Sequence, residues 1–514
     1  MSMRRINKVN SMNMTKNIDV QKNKQEYIFQ SEIRTYQQKI KMLFKQSADL
    51  VEYSLHLKKK GPALLYYFEG LTDCVALKNN VVIPLLEAKG AEENPEFPFL
   101  ISAHITNVDT WNEVSQALLS GQSILFIEYM NSAYIIQTKG GVERSIEEPQ
   151  AESVIKGSHD GFVESAATNI GLIRRYIPSV GLQTKQFKVG KQVSLPLYLI
   201  YLDNMVNKEV LHKVEIKVQK IQTETEEVIH VGELSTFIQE DMWTPFPQTY
   251  VSERPDAIIK HILNGKIAIV LERSPSVMVV PIHLMNFFHT VDDYNMHWSI
   301  VSFFKILRMV GFILAMLLPA VYIAIINYHF EIIPLDLYLS VANSRIKVPF
   351  SPLVEALIME FTIEMLREAG VRLPQPIGQT IGIVGGIVIG QAAVQAGLVS
   401  NIMVIVVSIT AISSFIVPNY DLSSCIRLIR FPMMILAYYF GIVGVISGVM
   451  LVIAHLVTIT SFGEPYTTPL APFVLKDWKD TLIRLPSTVL QKQTGKKYVL
   501  KEKKFDSNEG NSDE

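Results

Sequence analysis

The chain has 514 residues, with 48 Lys and Arg against 49 Asp and Glu and a formal net charge of −1. That balance, with no basic run interleaved with aromatics, excludes the electrostatic footprint of a nucleic-acid binder. The only cysteines, Cys74 and Cys425, lie in halves of different hydropathy, which excludes a disulfide framework and fits a reducing compartment.

Residues 1–28 open with MSMRRINKVNSMNMTKN and read as a disordered basic arm without the apolar stretch of a cleaved signal peptide. A helical pattern follows over Glu26–Leu57, with Lys58-Lys59-Lys60-Gly61 as its stop. Short β-rich runs come next: Ala63–Phe68, Val81–Leu85, Ser123–Tyr129 and Ala133–Gln137. The last two flank Met130-Asn131-Ser132 and predict a hairpin. Asn107–Leu119 predicts a helix, with Asp109 or Thr110 as its cap. These elements make a first small α/β subdomain, 29–144.

A second α/β subdomain, 145–297, begins as a polar linker and becomes an amphipathic helix. Phe162, Ala166, Ile170 and Ile173 share one face, and Arg174 and Arg175 close it. Pro196–Leu202, Ile267–Leu271 and Val277–Pro281 read as strands, the last two paired across Ser274-Pro275. Lys208–Ile221, Glu233–Gln239 and Pro255–Leu263 read as helices. Strands alternating with helices predict open mixed sheets. Neither unit carries a GxGxxG, a P-loop or a nucleophile elbow, and no Cys/His cluster has metal spacing. Asp73, Asp109 and Asp203 stand without catalytic partners, so no enzyme and no cofactor is expected.

From Trp298 the chain becomes far more apolar. Residues 298–462 predict a helical transmembrane domain of about four spans. The first is Val310–Tyr328, preceded by Lys305 and Arg308, which place its N-terminal side in the cytoplasm. Asn401–Val417 is apolar enough to span, Pro418-Asn419-Tyr420-Asp421 breaks it, and Phe431–Thr460 is the last long run. Arg427 and Arg430 flank that run on one side, and Lys476, Lys479 and Arg484 on the other. Ser351–Gly370 is strongly helical and carries Glu355, Glu360 and Glu364, which are costly in lipid. Two readings stand for it: a non-crossing helix, interfacial or buried in protein, or a ring of carboxylates attracting cations at a pore mouth. Residues 463–514 read as a cytoplasmic C-terminal helix and a charged tail.

Between these elements lies PQPIGQTIGIVGGIVIGQAAVQAGLVS, residues 374–400. Gly378, Gly382, Gly386 and Gly390 recur every fourth position and form a stripe on which another helix can pack closely. Four such glycines each cost about 1 kcal/mol against Ala in water, whereas in a bilayer the backbone must satisfy itself and the helix survives. Thr380, Val384, Ile387, Gln391 and Gln395 fall roughly opposite, a column that lines a pathway or bonds to neighbouring helices.

Four runs carry a resemblance: EEPQAESVIKGSHDGFVESAATNIGLIRRYI (147–177), RPDAIIKHILNGKIAIVLERSPSVMVVP (254–281), 349–400, and SFGEPYTTPLAPFVLKDWKDTLIR (461–484). Over roughly residues 50–485 the chain resembles the A subunits of bacterial spore germinant receptors, the GerA type. Ser158-His159 departs from the pattern, where a proline is expected after Gly157. The resemblance implies a multi-pass protein of the spore inner membrane that works with a permease-like B subunit and a lipoprotein C subunit. It implies a homo-oligomer, a pentamer, forming a germinant-gated cation channel. The alternatives are a non-conducting scaffold that transmits the signal, or a SpoVAF-like role in ion or spore-core solute release.

Overall fold

The computed structural model describes residue 28 and residues 32–57, 61–87, 105–140, 158–372, 386, 388–472 and 484. The arm before residue 28 lies outside them, as does the expected C-terminal unit 463–514 apart from residues 463–472, which form a short strand and turns, and residue 484.

The first subdomain is a five-stranded sheet covered on both faces. After helix α1 (Ile33–Leu43) come β1 (Leu50–Leu57), β2 (Gly61–Phe68), β3 (Ile105–Val108), helix α2 (Trp111–Leu119), β4 (Ser123–Ile127) and β5 (Ala133–Ile136). The long helix expected over Glu26–Leu57 is therefore corrected: its second half is a strand, with Leu50 opposite Phe68 and Leu57 opposite Gly61. Val51, Tyr53, Leu55 and Leu57 alternate with Glu52, Ser54 and His56, the period-two pattern of a strand. The helix expected to start at Asn107 starts at Trp111. Thr110 caps it, accepting from the Glu113 N–H at 3.4 Å while its hydroxyl donates to the Glu113 carboxylate at 2.8 Å. The expected hairpin is present, with Leu125 opposite Tyr134.

The second subdomain repeats this plan. It contains α3 (Ala166–Tyr176), β6 (Leu182–Val189), β7 (Leu195–Leu202), α4 (Lys208–Glu224), α5 (Val231–Ile238), β8 (Tyr250–Ser252), α6 (Pro255–Leu263), β9 (Ile267–Leu271) and β10 (Val277–Val280). The strand orders are β1-β2-β4-β5-β3 and β6-β7-β9-β10-β8. Shifting every strand number by five turns one into the other. Every pairing within these two sheets is antiparallel, so the expected mixed sheets are corrected. Short connections join β1 to β2, β4 to β5, β6 to β7 and β9 to β10, and a short connection forces antiparallel neighbours. The helices do not cross between parallel strands; they cover the faces. Ile267, Ile269 and Leu271 pack with α4 and α5, while Ala268 and Val270 pack with α3 and α6. Both faces of β9 are buried, which is why it reads IAIVL without polar alternation.

The two subdomains are tied by a buried ion pair. Arg174, on the last turn of α3, is fully buried; its guanidinium meets the Asp49 carboxylate and lies 4.2 Å from the centre of the Phe68 ring. Thr184 also donates its hydroxyl to Asp49. A Cβ on Gly70 would stand 2.2 Å from the Ala167 carbonyl oxygen, so only glycine permits this approach of the two units.

The helical part begins with α7 (Trp298–Tyr328), followed by α8 (Leu335–Arg345), α9 (Pro352–Arg372), α10 (Asn401–Ile416) and α11 (Tyr420–Thr458). Ser400 caps α10 and Asn419 caps α11. The last apolar run is not one rod. At Gly441 the backbone leaves the helix with φ 59° and ψ −141°. A Cβ on Gly444 would meet the Leu436 carbonyl oxygen at 2.1 Å, and one on Gly448 would meet Met433 Sδ at 2.5 Å. In a straight helix these pairs stand about 12 and about 22 Å apart. The chain therefore folds back, and residues 420–440 and 442–458 are two antiparallel arms of a hairpin. The single run expected from Phe431 to Thr460 is corrected accordingly. Gly444 and Gly448 allow the arms to touch.

The bundle is fused to the second sheet. Ile282, Leu284, Phe287 and Phe288 share one core with Ala315, Met433 and Leu456. The chain returning from the hairpin closes the junction: the Leu284 N–H donates to the Tyr466 carbonyl at 2.9 Å, and the Ile282 N–H to the Ser461 hydroxyl at 3.1 Å.

Candidate functional site: a ladder of charge in the helical bundle

Glu355, Glu360 and Glu364 lie along α9, and each meets an arginine from another element. Glu355, fully buried, stands 3.3 Å from Arg345 of α8 and accepts from the Ser400 backbone N–H at 2.9 Å. Glu360 pairs with Arg430 of the first hairpin arm, and Arg430 also donates to the Ala315 carbonyl of α7 at 2.8 Å. Glu364 stands 3.3 Å from Arg427 and 4.0 Å from Arg367. Arg367 then donates to the Ser414 hydroxyl of α10 at 2.9 Å and covers the Phe415 ring at 4.4 Å.

These contacts orient the bundle. Glu355 is beside the start of α10, and Arg367 is beside its end, so α9 and α10 run in the same direction. α7 runs the other way: Gly311, midway along it, meets Ile416 and Ser413 at the end of α10, while Tyr322, further along, lies beside Ser400 at the start of α10. α9 packs on α7, α10 and the first hairpin arm, with Phe361 and Met365 facing outward. Arg427 and Arg430, read from the sequence only as flanking cations, are internal partners. Their spacing was the available signal: Arg427 and Arg430 are three apart, as are Glu364 and Arg367, so each pair faces one side of its helix. Arg345 carried no such signal.

The ladder is not fully satisfied. Glu360 Oε1, Arg430 Nη2 and Arg367 Nε are buried without a hydrogen-bond partner among the described residues, and Glu355 Oε1 has only its 3.3 Å ion-pair contact with Arg345.

The glycine helix is described in part. Gly378, Gly382, Thr380, Val384 and Ile387 lie outside the described residues. Gly390 is buried, and a Cβ there would lie 3.8 Å from Val404 Cγ1 of α10. Gly386 is exposed, with nothing among the described residues within 4 Å of such a Cβ. Gln391 and Gln395 are both exposed on the surface of this chain.

A second group of charges sits where the second sheet meets α7. Arg308 donates to Asp293 at 2.7 Å, to the Phe288 carbonyl at 2.9 Å and to the Thr290 hydroxyl at 3.0 Å. Burial raises the Asp293 pKa, but the Arg308 hydrogen bond and the Thr290 N–H outweigh it, and the net shift is downward. Lys266 donates to Asn286 at 2.6 Å, and burial pushes its ammonium down to about 7. His289, beside Lys305 and Arg308, is pushed down by burial to about 3. Asp73, unpartnered in the sequence, caps a short helical turn by accepting from the Val75 and Ala76 N–H groups.

Two antiparallel sheets of one plan, fused to a helical bundle with paired charges inside and apolar side chains outside, define an α/β region built onto a helical domain. The family described as Bacillus/Clostridium GerA spore germination protein matches residues 38–495. The chain belongs to that family. It is 40% identical over 379 residues to spore germination protein A1 of Bacillus subtilis, covering 74% of this chain and 78% of that one. It is 36% identical over 436 residues to the uncharacterized membrane protein YfkQ of the same organism, covering 84% of each. Spore germination protein GerLA of Bacillus cereus is 37% identical over 393 residues, 76% of this chain and 80% of that one. The crystal structure of the N-terminal domain of the A subunit of the Bacillus megaterium spore germinant receptor GerK3 aligns at 22% identity and a TM-score of 0.39, over 50% of this chain and 98% of that one.

Proposed function

We propose that this chain is the A subunit of a nutrient germinant receptor and acts in spore germination from the spore inner membrane. It crosses that membrane several times, with the α/β region and the tail in the cytoplasm. Its partners are a permease-like B subunit, a lipoprotein C subunit and further copies of itself, assembled as a pentamer. The observation that carries the membrane reading is the distribution of polarity in the bundle. Arg430, Glu360 and Glu355 are buried within it, while Phe303, Leu428, Phe440 and Leu451 face outward. A protein folded in water has no reason to arrange a helical domain so; in a bilayer, charges face inward and pair. The helices Trp298–Tyr328 and Tyr420–Thr458 have mean hydropathies of 2.6 and 2.4 over their most apolar windows. In this reading α9 crosses as well, since it runs with α10.

Copies of the glycine helix surround the pathway, with Gly378, Gly382, Gly386 and Gly390 as the packing stripe. Val384 and Ile387 form an apolar constriction that excludes water, and Thr380, Gln391 and Gln395 turn toward the axis when it opens. The exposure of Gln391 and Gln395 on the single chain supports this reading, because both are available to a neighbouring copy. The second reading, a non-conducting scaffold, draws on the carboxylates: Glu355, Glu360 and Glu364 are already met by arginines. Reconstitution with the B and C subunits decides between them. A channel passes monovalent cations when germinant is added, and Val384→Ser or Ile387→Ala leaks without it. A scaffold gives no flux in either case.

A further inference from the structure

We propose that the loop of residues 239–249 is a membrane-interface anchor, whose Met242 and Trp243 side chains enter the headgroup boundary of the bilayer leaflet nearest the second sheet. The inference rests on the membrane reading above and adds to it a lipid contact made by the α/β region.

Trp243 is 95% exposed and Met242 is 70% exposed. The loop that carries them is held in place. The buried Gln248 side chain accepts from the Glu240 and Asp241 N–H groups at 3.0 and 3.2 Å and donates to the Asp241 carbonyl at 2.7 Å. The Asp241 carboxylate accepts from the Trp243 N–H at 3.0 Å, and the Thr244 hydroxyl accepts from the Phe246 N–H at 3.3 Å. Glu240 accepts from the Phe462 N–H at 2.9 Å and the Thr460 hydroxyl at 3.1 Å, which ties the loop to the chain leaving the bundle. A braced backbone thus presents two large apolar side chains to the outside.

An exposed tryptophan alone is unremarkable; its place is what matters. Thr244 Oγ1 lies 2.8 Å from His455 Nε2, and the Phe246 ring lies 6.2 Å from the His455 ring. His455 is in the last turn of the second hairpin arm, where Leu451, Ile453 and Val457 face outward. Trp243 is therefore one residue from the point where the outward apolar surface of the bundle ends. Trp298, the first residue of α7, is exposed as well, and α7 begins at the end of the bundle that meets the second sheet. An indole, with an apolar ring and one N–H donor, is the side chain favoured at that depth of a bilayer. Because Glu240 and Asp241 precede the tip, the contact is shallow apolar insertion and not attraction to anionic headgroups.

The test uses the full chain reconstituted in phosphatidylcholine–phosphatidylglycerol vesicles that carry a spin-label quencher either near the headgroup or deep in the acyl chain. Subtracting the emission of Trp243→Phe isolates the Trp243 signal; the side chain makes no packed contact that this change removes. Trp243 emission is expected to be lost to the shallow quencher, less to the deep one, and to be shielded from aqueous iodide. Iodide quenching without lipid quenching overturns the proposal. Shielding from iodide without lipid quenching also overturns it and assigns the tip to a protein partner. Leu451→Trp in the Trp243→Phe background separates the two layers of argument. Its quenching by lipid with Trp243 unquenched rejects the anchor alone, whereas neither being quenched rejects the membrane reading as well.

Discussion

Arg430 and Glu360 form an ion pair between the first hairpin arm and α9, with each side chain only 4% exposed. Arg430 also holds the Ala315 carbonyl, so one guanidinium joins three helices. Removing one partner leaves a buried charge uncompensated, which costs on the order of 3–5 kcal/mol. Glu360→Ala should therefore lower the thermal midpoint of the solubilised protein and its level in the membrane. Replacing both residues with methionine should recover most of the loss, because an apolar pair of similar volume carries no desolvation cost. Equal loss in the single and double variants would show that the pair is not what holds these helices.

The hairpin depends on Gly441. An alanine at φ 59° and ψ −141° is strained by on the order of 1–3 kcal/mol. Its Cβ would also stand 3.1 Å from the Tyr328 ring and 3.2 Å from His329 Nε2. Gly441→Ala should destabilise the helical part. Gly370→Ala is the control: that glycine is in α9 with nothing among the described residues within 4 Å of a Cβ, and alanine there should gain up to about 1 kcal/mol. Thermal melts of the two variants in detergent, read side by side, check the prediction.

Lys266 gives a pH dependence with a defined sign. Burial lowers its pKa from 10.5 to about 7, with Glu464 acting weakly the other way. Between those values the unfolded chain binds more protons than the folded one, so this group makes stability rise with pH from about 7 toward 10.5. Below about 7 both states are protonated and the penalty is constant. His289, lowered from 6.5 to about 3, acts likewise at lower pH, and its contribution to stability is lost as pH falls from 6.5 toward 3. Lys266→Met should flatten the alkaline part of a melting-temperature profile and leave the acid part. Asn286 keeps a partner in that variant, since it also accepts from the His283 N–H at 3.0 Å. An unchanged alkaline slope would refute the assignment.

Gly386→Leu separates folding from assembly. Among the described residues nothing lies within 4 Å of a Cβ at Gly386. The variant should reach the membrane at the normal level and with an unchanged melting midpoint. If the glycine stripe packs against another copy, native gels and crosslinking should show the oligomer lost. A normal oligomer would mean that this face meets lipid.

Much was legible in local chemistry. Asn419 after Pro418 marks a break because an Asn side chain caps the following N–H groups, and it does so here. The IAIVL and VMVV runs announce strands buried on both faces, since nothing polar needs to reach water. The long motifs of 147–177 and 349–400 carry the family, and the match over residues 38–495 bears this out.

Other features were settled only when distant residues met. The local pattern reads Leu50–Leu57 as helix because the residues before it are helical; antiparallel pairing with Gly61–Phe68, from Leu50 opposite Phe68 to Leu57 opposite Gly61, makes it a strand. Gly441 reads as one more small residue in an apolar run, because a reversal inside a helix leaves no polar signature when neither arm needs water. Arg174 looks like a cation closing a helix, and only Asp49 on the other subdomain explains its burial. Sequence marked most of the elements and the change of hydropathy at Trp298, because propensity, capping and hydropathy act over a few residues. Tertiary structure decided which charges are paired and where the last apolar run turns back, because a buried charge is stabilised by whichever partner the packing brings, and that partner has no fixed distance along the chain.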